Sequence, residues 1–307
     1  MKKEGVIRYI SVFLAVTVFV AFQLPFIQTA EAAGNSKTRY VIARTTYSYS
    51  DHFGTDKGST VYTYYKNGLI KSRKSSDGKE IYKRDANGLV TSYTSYNSKG
   101  RKESYSRNII KDGKIAETRD YYFSKGKKKL EYTTKYTYDE AGNMIREEIS
   151  NTGGRTVSTD YDSYGHILAQ NTIQGNSSYL TKHTLTLDKH GNITKDVQKI
   201  EQTYEGDSRT YKHTVTEISR FTYSKTGKIK KYVYYAKGSK GRTTVTCTYN
   251  KAGKLKKIVS FTKNPDGTSE KSVENYTYKK VKVAKKYLKL VKSEQQNEQM
   301  ITEQHLG

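Results

Sequence analysis

The sequence predicts an all-β protein: a long antiparallel meander of repeated β-hairpins, twisted or curled into a spiral or shell-like sheet, with a short C-terminal helix or tail. Three observations predict it. An aromatic pair at i and i+2 recurs, followed by turn residues, a glycine and an apolar residue two places on; Tyr136, Tyr138, Gly142 and Met144 show it best, and Tyr62, Tyr64, Gly68 and Ile70 repeat it, as do Phe221, Tyr223, Gly227 and Ile229 and then Cys247, Tyr249, Gly253 and Leu255. Tyr, Thr, Val and Ile alternate with Lys, Ser and Thr at period two, the pattern of a strand with unlike faces. Helical periodicity is missing between Tyr40 and Tyr278.

Residues 1–32 read as a cleaved secretory signal. Lys2, Lys3 and Arg8 precede an apolar stretch from Ile10 to Phe22, and Ala30-Glu31-Ala32 offers a small-residue cleavage site. The apolar stretch is short of the ~20 residues that span a bilayer. The expectation is therefore an exported chain, secreted or associated with the cell wall, with no stable membrane span after cleavage.

The repeat domain is expected over residues 33–283. In Lys135-Tyr136-Thr137-Tyr138 both rings point to one face, and Asp139 to Gly142 turns the chain. The glycine supplies a positive φ and the aspartate caps the turn through its side chain. Gly68, Gly88, Gly113, Gly142, Gly165, Gly191, Gly227 and Gly253 mark the first set of turns, and their unequal spacing predicts strands of unequal length. Arg84 and Arg107 stand where the pattern wants an aromatic. Pro265 is the sole proline outside the signal and falls at a turn, as uninterrupted strand ladders require. Inward curling would cover the tyrosine face without a second layer.

Residues 284–307 break the repeat. Val281, Ala284, Leu288 and Val291 fall on one helical face among lysines, which predicts a basic cap or short helix after a last strand at Tyr276–Val283, with a disordered polar tail from about Ser293.

The segments YTYDEAGNMIREEISNTGG, TDYDSYGHILAQ and LTLDKHGNITKD resemble the YD repeats of the Rhs family, with Tyr138-Asp139, Tyr161-Asp162 and Leu187-Asp188 at the pair's positions. The match is clearest over residues 136–197 and weakens where Asp becomes Tyr65, Ser224 or Asn250. The resemblance implies exported bacterial proteins whose hairpins wind into a shell or spiral, often described as carbohydrate-binding. Larger members enclose a C-terminal toxin; this chain is too short for that and shows no autoproteolytic core.

Composition and chemistry point the same way. Lys+Arg number 55 against Asp+Glu 30, a formal charge of +25 that attracts polyanions. Lys228, Lys230, Lys231, Lys254, Lys256 and Lys257 flank two successive hairpins, and a lysine ladder across them is the expected polymer-binding site. The competing reading is that these lysines solubilise a long sheet and guard its edges. No catalytic constellation is recognisable, and no cofactor or metal is expected: His166 sits beside a turn, His183 and His213 lack a third ligand, and Asp160 and Asp162 read as a solvated side chain beside a turn cap. Cys247, the lone cysteine, reads as a small inward-facing apolar residue. The function expected from sequence is a non-enzymatic secreted or wall-associated repeat protein binding an anionic or carbohydrate surface polymer, a teichoic-acid-like chain rather than nucleic acid. The alternative is a structural or protein-interaction module of a secretion or toxin system, using an open sheet edge or the C-terminal segment to hold a protein partner.

Overall fold

The computed structural model describes residues 36–304, apart from 190–191 and 207–208. The expected signal segment and the final residues lie outside the described residues.

The strands are β1 (Ser36–Asp51), β2 (Gly54–Tyr64), β3 (Ile70–Lys74), β4 (Gly78–Arg84), β5 (Val90–Asn97), β6 (Lys102–Lys111), β7 (Lys114–Ser124), β8 (Lys127–Tyr138) and β9 (Met144–Asn151). They continue as β10 (Thr156–Tyr161), β11 (Ile167–Gln174), β12 (Ser177–Leu187), β13 (Ile193–Gly206), β14 (Arg209–Tyr223), β15 (Ile229–Ala236), β16 (Arg242–Tyr249), β17 (Leu255–Lys263) and β18 (Ser269–Ala284). A 3₁₀ turn (Lys285–Tyr287) leads into α1 (Leu288–Gln304).

Each strand pairs antiparallel with the next, so the meander is as expected. The expected open spiral is not found. β18 returns to β1 along nearly its whole length, from Ser36 opposite Ala284 to Ser50 opposite Lys271, and closes an 18-stranded barrel. The reason is edge chemistry: an unpaired strand of 16 residues would leave a row of bare backbone donors and acceptors, and closure satisfies them.

The repeat builds one recurring joint. In the turn after β8, Asp139 N–H donates to Asn143 O at 2.9 Å, Gly142 N–H to Asp139 O at 3.0 Å, and the Asp139 carboxylate accepts from Asn143 N–H at 2.7 Å. Gly142 holds φ at +88°, which a side chain would resist. The same bonds recur at Asp85, Asp162 and Asn250. A bulge follows each such turn: Tyr138 faces Met144, Tyr223 faces Ile229 and Tyr249 faces Leu255, with the register shifted by one residue.

At these bulges the carbonyl of the apolar residue is taken by the hydroxyl of the next unit's second aromatic. Tyr138 donates to Ile115 O (2.8 Å), Tyr223 to Ile193 O (2.8 Å), Tyr249 to Ile229 O (2.8 Å) and Tyr278 to Leu255 O (2.6 Å). Arg84, one of the two arginines that break the aromatic pattern, does the same work through its guanidinium on Ile70 O (3.1 and 3.2 Å). This chain of side-chain donors stitches unit to unit near one rim of the barrel, and it explains why the second position favours tyrosine over phenylalanine.

The tyrosine face turns inward, as expected. Ile42, Tyr62, Ile70, Tyr82, Val245, Cys247, Leu255, Ile258 and Tyr276 form the main core. Cys247 is buried within it. A second core of Val41, Leu69, Val283 and Val291 seats the start of α1. Gly68 is required there, because a Cβ would lie 2.5 Å from Val283 Cγ2.

The expected disordered tail from Ser293 is not found. Residues 293–304 are helical, and Gln295 and Glu298 are among the buried polar side chains. A run of Gln and Glu lacks the apolar stripe that marks a core helix, but the lumen it enters is itself polar.

Candidate functional site

The lumen beside α1 is the candidate site. Residues Val291, Glu294, Gln295, Glu298 and Gln299 follow one another at helical spacing on one face of α1. Val291 packs into the core near the rim. Deeper, Glu294 ion-pairs with Arg84 and accepts Ile70 N–H at 3.0 Å. Gln295 accepts Ile42 N–H at 2.6 Å. Glu298 accepts the Tyr62 hydroxyl at 2.9 Å and lies 3.6 Å from Arg73. Gln299 donates to Tyr278 at 3.1 Å. The helix is thus a plug, held by charge-assisted bonds of Glu294 and Glu298 to β2, β3 and β4 and by amide hydrogen bonds of Gln295 and Gln299 to β1 and β18.

Arg73 is the hub. Its Nε donates to Glu80 at 2.5 Å and Nη2 to the other Glu80 oxygen at 3.0 Å, while Tyr82 donates to Glu80 at 2.6 Å. Burial opposes its charge, but Tyr82, Glu298 and Glu80 hold the guanidinium proton more tightly than usual. Burial pushes the Glu298 carboxyl up, against the pull of Arg73 and the Tyr62 hydroxyl. Burial likewise lifts Glu294 despite Arg84.

Above this network lies a cavity of about 790 Å³. Its wall includes Tyr47, Tyr49, Tyr62 and Tyr96, with Glu298 of the plug at its floor. It reaches the rim at the turn before Gly78, beside Tyr96 near the end of β5. The acids Asp77, Glu80, Glu103, Glu270, Glu274 and Glu298 contribute to the wall, against the bases Arg73 and Lys79. Burial, then the hydrogen bond and charge of Glu270, push the Tyr49 phenol up to about 12. A chain of strong positive charge therefore encloses a negative, tyrosine-walled cup.

The lysines singled out from sequence lie elsewhere. Lys228 donates to Gly253 O at 2.6 Å and sits 5.3 Å over the Tyr249 ring. Lys254 is its neighbour, and its ammonium is depressed by burial first and then by the charges of Lys228, Arg39 and Lys292. Lys231 is opposite Thr246 and Lys257 opposite Thr248 and Asn275, so lysine does not face lysine across these strands. Lys230 and Lys256 stand at the bulge positions of their hairpins. Among the described residues no group of three or more His, Cys, Asp or Glu side chains could hold a metal. His166 caps its own turn against Asp162 (2.9 Å), and His183 bonds Asp196 (2.9 Å).

Sequence reasoning missed Arg73, Glu80, Tyr62 and Glu298. Glu80 and Arg73 alternate with outward residues like any charged strand positions, and Glu298 is 218 residues beyond Glu80 in the chain. The one available signal was the helical spacing of Glu294, Gln295, Glu298 and Gln299, which carries no mark of burial until the partners are known.

No family model and no curated protein matches the chain. Among solved structures it is similar to a porin-like protein from Bacteroides vulgatus (11% identity, 78% of this chain and 98% of that one, TM-score 0.36) and a porin-like protein from Bacteroides uniformis (10%, 78% and 98%, TM-score 0.28). It is also similar to the TcdB2-TccC3-Cdc42 complex (13%, 70% of this chain and 15% of that one, TM-score 0.26).

The function expected from sequence is corrected. The premise of an open, curled binding sheet fails because the sheet closes on itself, β18 pairing with β1. Of the two surfaces that the alternative, a module for a secretion or toxin system, would use, the open sheet edge is not found among the described residues, since β1 pairs with β18, and the C-terminal segment is bonded to the inner wall through α1.

Proposed function

We propose that the chain is a helix-plugged β-barrel that holds a small ligand in the lumenal cup and performs no catalysis. The observation that carries the reading is the cavity itself: about 790 Å³, walled by tyrosines and carboxylates and floored by a helix of the same chain. Ligand sites are concave, largely preformed and furnished with a few convergent polar groups, and the rim of a barrel is a preferred place for them.

A pore is the competing reading for a closed barrel. No helix of the described residues is long and apolar enough to cross a membrane, which says nothing of strands. The outer face is more informative. A barrel that crosses with its strands needs an apolar outer band ~25 Å tall. Along one outer row here Arg146, Asp160, Ala169, Lys182 and Lys199 follow one another across five strands, and Arg146 pairs with Asp160 at 2.9 Å. Another row runs Arg107, Arg119, Thr133 and Ser150. Such rows suit water and not hydrocarbon. The hairpin motif supports counting the array among YD-type repeats that close into a barrel.

Native mass spectrometry of the chain taken from its host is expected to show a small-molecule adduct. Ser95→Trp, which fills the cavity, is expected to remove it. Unit conductance in a planar bilayer, or partition of the protein into lipid vesicles, overturns the reading.

A further inference from the structure

We propose that the lumenal cup takes a flexible organic polycation, of the aliphatic polyamine class. The inference rests on the ligand-holding reading above and adds the chemistry of the ligand.

Three observations converge. Carboxylates are spread along the cavity from floor to rim: Glu298 and Glu80 at the floor, Glu274 on β18, and Asp77, Glu103 and Glu270 towards the rim. Spacing of this kind suits several amines on a chain better than one compact charge. Tyr47, Tyr49, Tyr62 and Tyr96 line the same space, and phenol rings present a negative face to ammonium groups while packing on methylene stems. The barrel already uses this contact elsewhere, with Lys128 Nζ 4.2 Å from the centroid of the Tyr121 ring and Lys279 Nζ 4.9 Å from that of Tyr64.

The polarity of the cup is also opposite to that of the whole chain, whose formal charge is +25. That charge repels a polycation at long range, but charges beyond about 8 Å are largely screened at physiological ionic strength. Groups within the cup therefore decide the outcome at contact. An anion would meet carboxylates on most sides, with Arg73 already bonded to Glu80 and close to Glu298. A bare metal ion would require a converging donor set, and the described residues supply none of three or more His, Cys, Asp or Glu. A polyamine needs only single carboxylates at intervals.

The test is isothermal titration of the full chain, after dialysis, with spermidine, sorbitol and inorganic phosphate, followed by NMR of the tyrosine rings. Spermidine is expected to bind and to shift tyrosine resonances. Glu103→Gln and Glu270→Gln, at the rim and away from the plug, are each expected to weaken it two- to fivefold, in line with partly exposed charge pairs. Lys128→Gln, on the outer face, is expected to leave it unchanged and serves as the control. Sorbitol or phosphate binding in the cup without spermidine binding overturns the polycation while keeping the ligand-holding reading. Spermidine binding that ignores both rim substitutions overturns it equally. Binding of none of the three probes, together with no adduct in native mass spectrometry, overturns both.

Discussion

Glu147 offers a sharp test of how the inner wall is built. It lies on β9, faces the lumen side opposite Tyr136 and Thr159, and is 1% exposed. One carboxyl oxygen is 3.4 Å from the Tyr161 hydroxyl, and the other has no hydrogen-bond partner. Burial pushes the carboxyl from the usual 4.5 up to about 7, only partly offset by Tyr161. Charging it costs free energy that the unfolded chain does not spend. A rise of that size corresponds to about 3 kcal/mol, at 1.36 kcal/mol per decade of proton affinity. The sign follows from linkage: for a raised carboxyl the contribution is fully present below pH ~4.5 and is lost as pH rises through about 7. The perturbation is Glu147→Gln, which keeps the shape and removes the proton equilibrium. Urea unfolding of both proteins is followed by tyrosine fluorescence, since the chain has 29 Tyr and no Trp, at intervals from pH 4.5 to 8.5. The stability of the parent relative to the variant is expected to fall by about 3 kcal/mol across that range. Parallel curves would refute the reasoning and show that Glu147 stays ionised and satisfied.

Other outcomes follow from the same geometry. Tyr249→Phe and Tyr138→Phe each leave a bulge carbonyl without its hydroxyl and are expected to cost about 1 kcal/mol in urea unfolding. Arg84→Met strands the Glu294 carboxylate inside the barrel and is expected to cost about 3–5 kcal/mol, while Arg84→Met with Glu294→Leu recovers much of the loss; a double-mutant cycle measures the coupling. Gly227→Ala and Gly68→Ala separate backbone strain from crowding. Both glycines hold a positive φ, but a Cβ at Gly227 meets open space whereas one at Gly68 meets Val283. Thermal unfolding should show about 1 kcal/mol for the first and clearly more for the second.

Much of the architecture is local and was therefore legible. Period-two alternation and the Tyr-x-Tyr-Asp-x-x-Gly turn require only neighbouring residues, and they determine strands, turn chemistry and the inward tyrosines. Asp139, Asp162 and Gly142 do in the barrel what their residue types dictate. The bulge carbonyls already hint at a partner in the next unit, and Arg84 shows that a residue outside the pattern can fill the role when it offers a donor of the right reach.

Closure and the plug were decided only in three dimensions. Whether a meander stays open or closes depends on strand number, twist and the match between its first and last strands, and Ser36 and Ala284 are too far apart in sequence for any local pattern to pair them. The fate of the C-terminal segment depended on the same step. Glu294, Gln295 and Glu298 read as solvated because charged and amide groups belong in water unless partners await them inside. Those partners, Arg84, the Ile42 backbone and Tyr62, are brought to one wall only when the sheet has closed around them. The sequence by itself determined the repeating unit and which face it hides; the tertiary structure decided that the hidden face encloses a negative lumen, because a polar interior is defined by mutual satisfaction across the barrel and not by any residue alone.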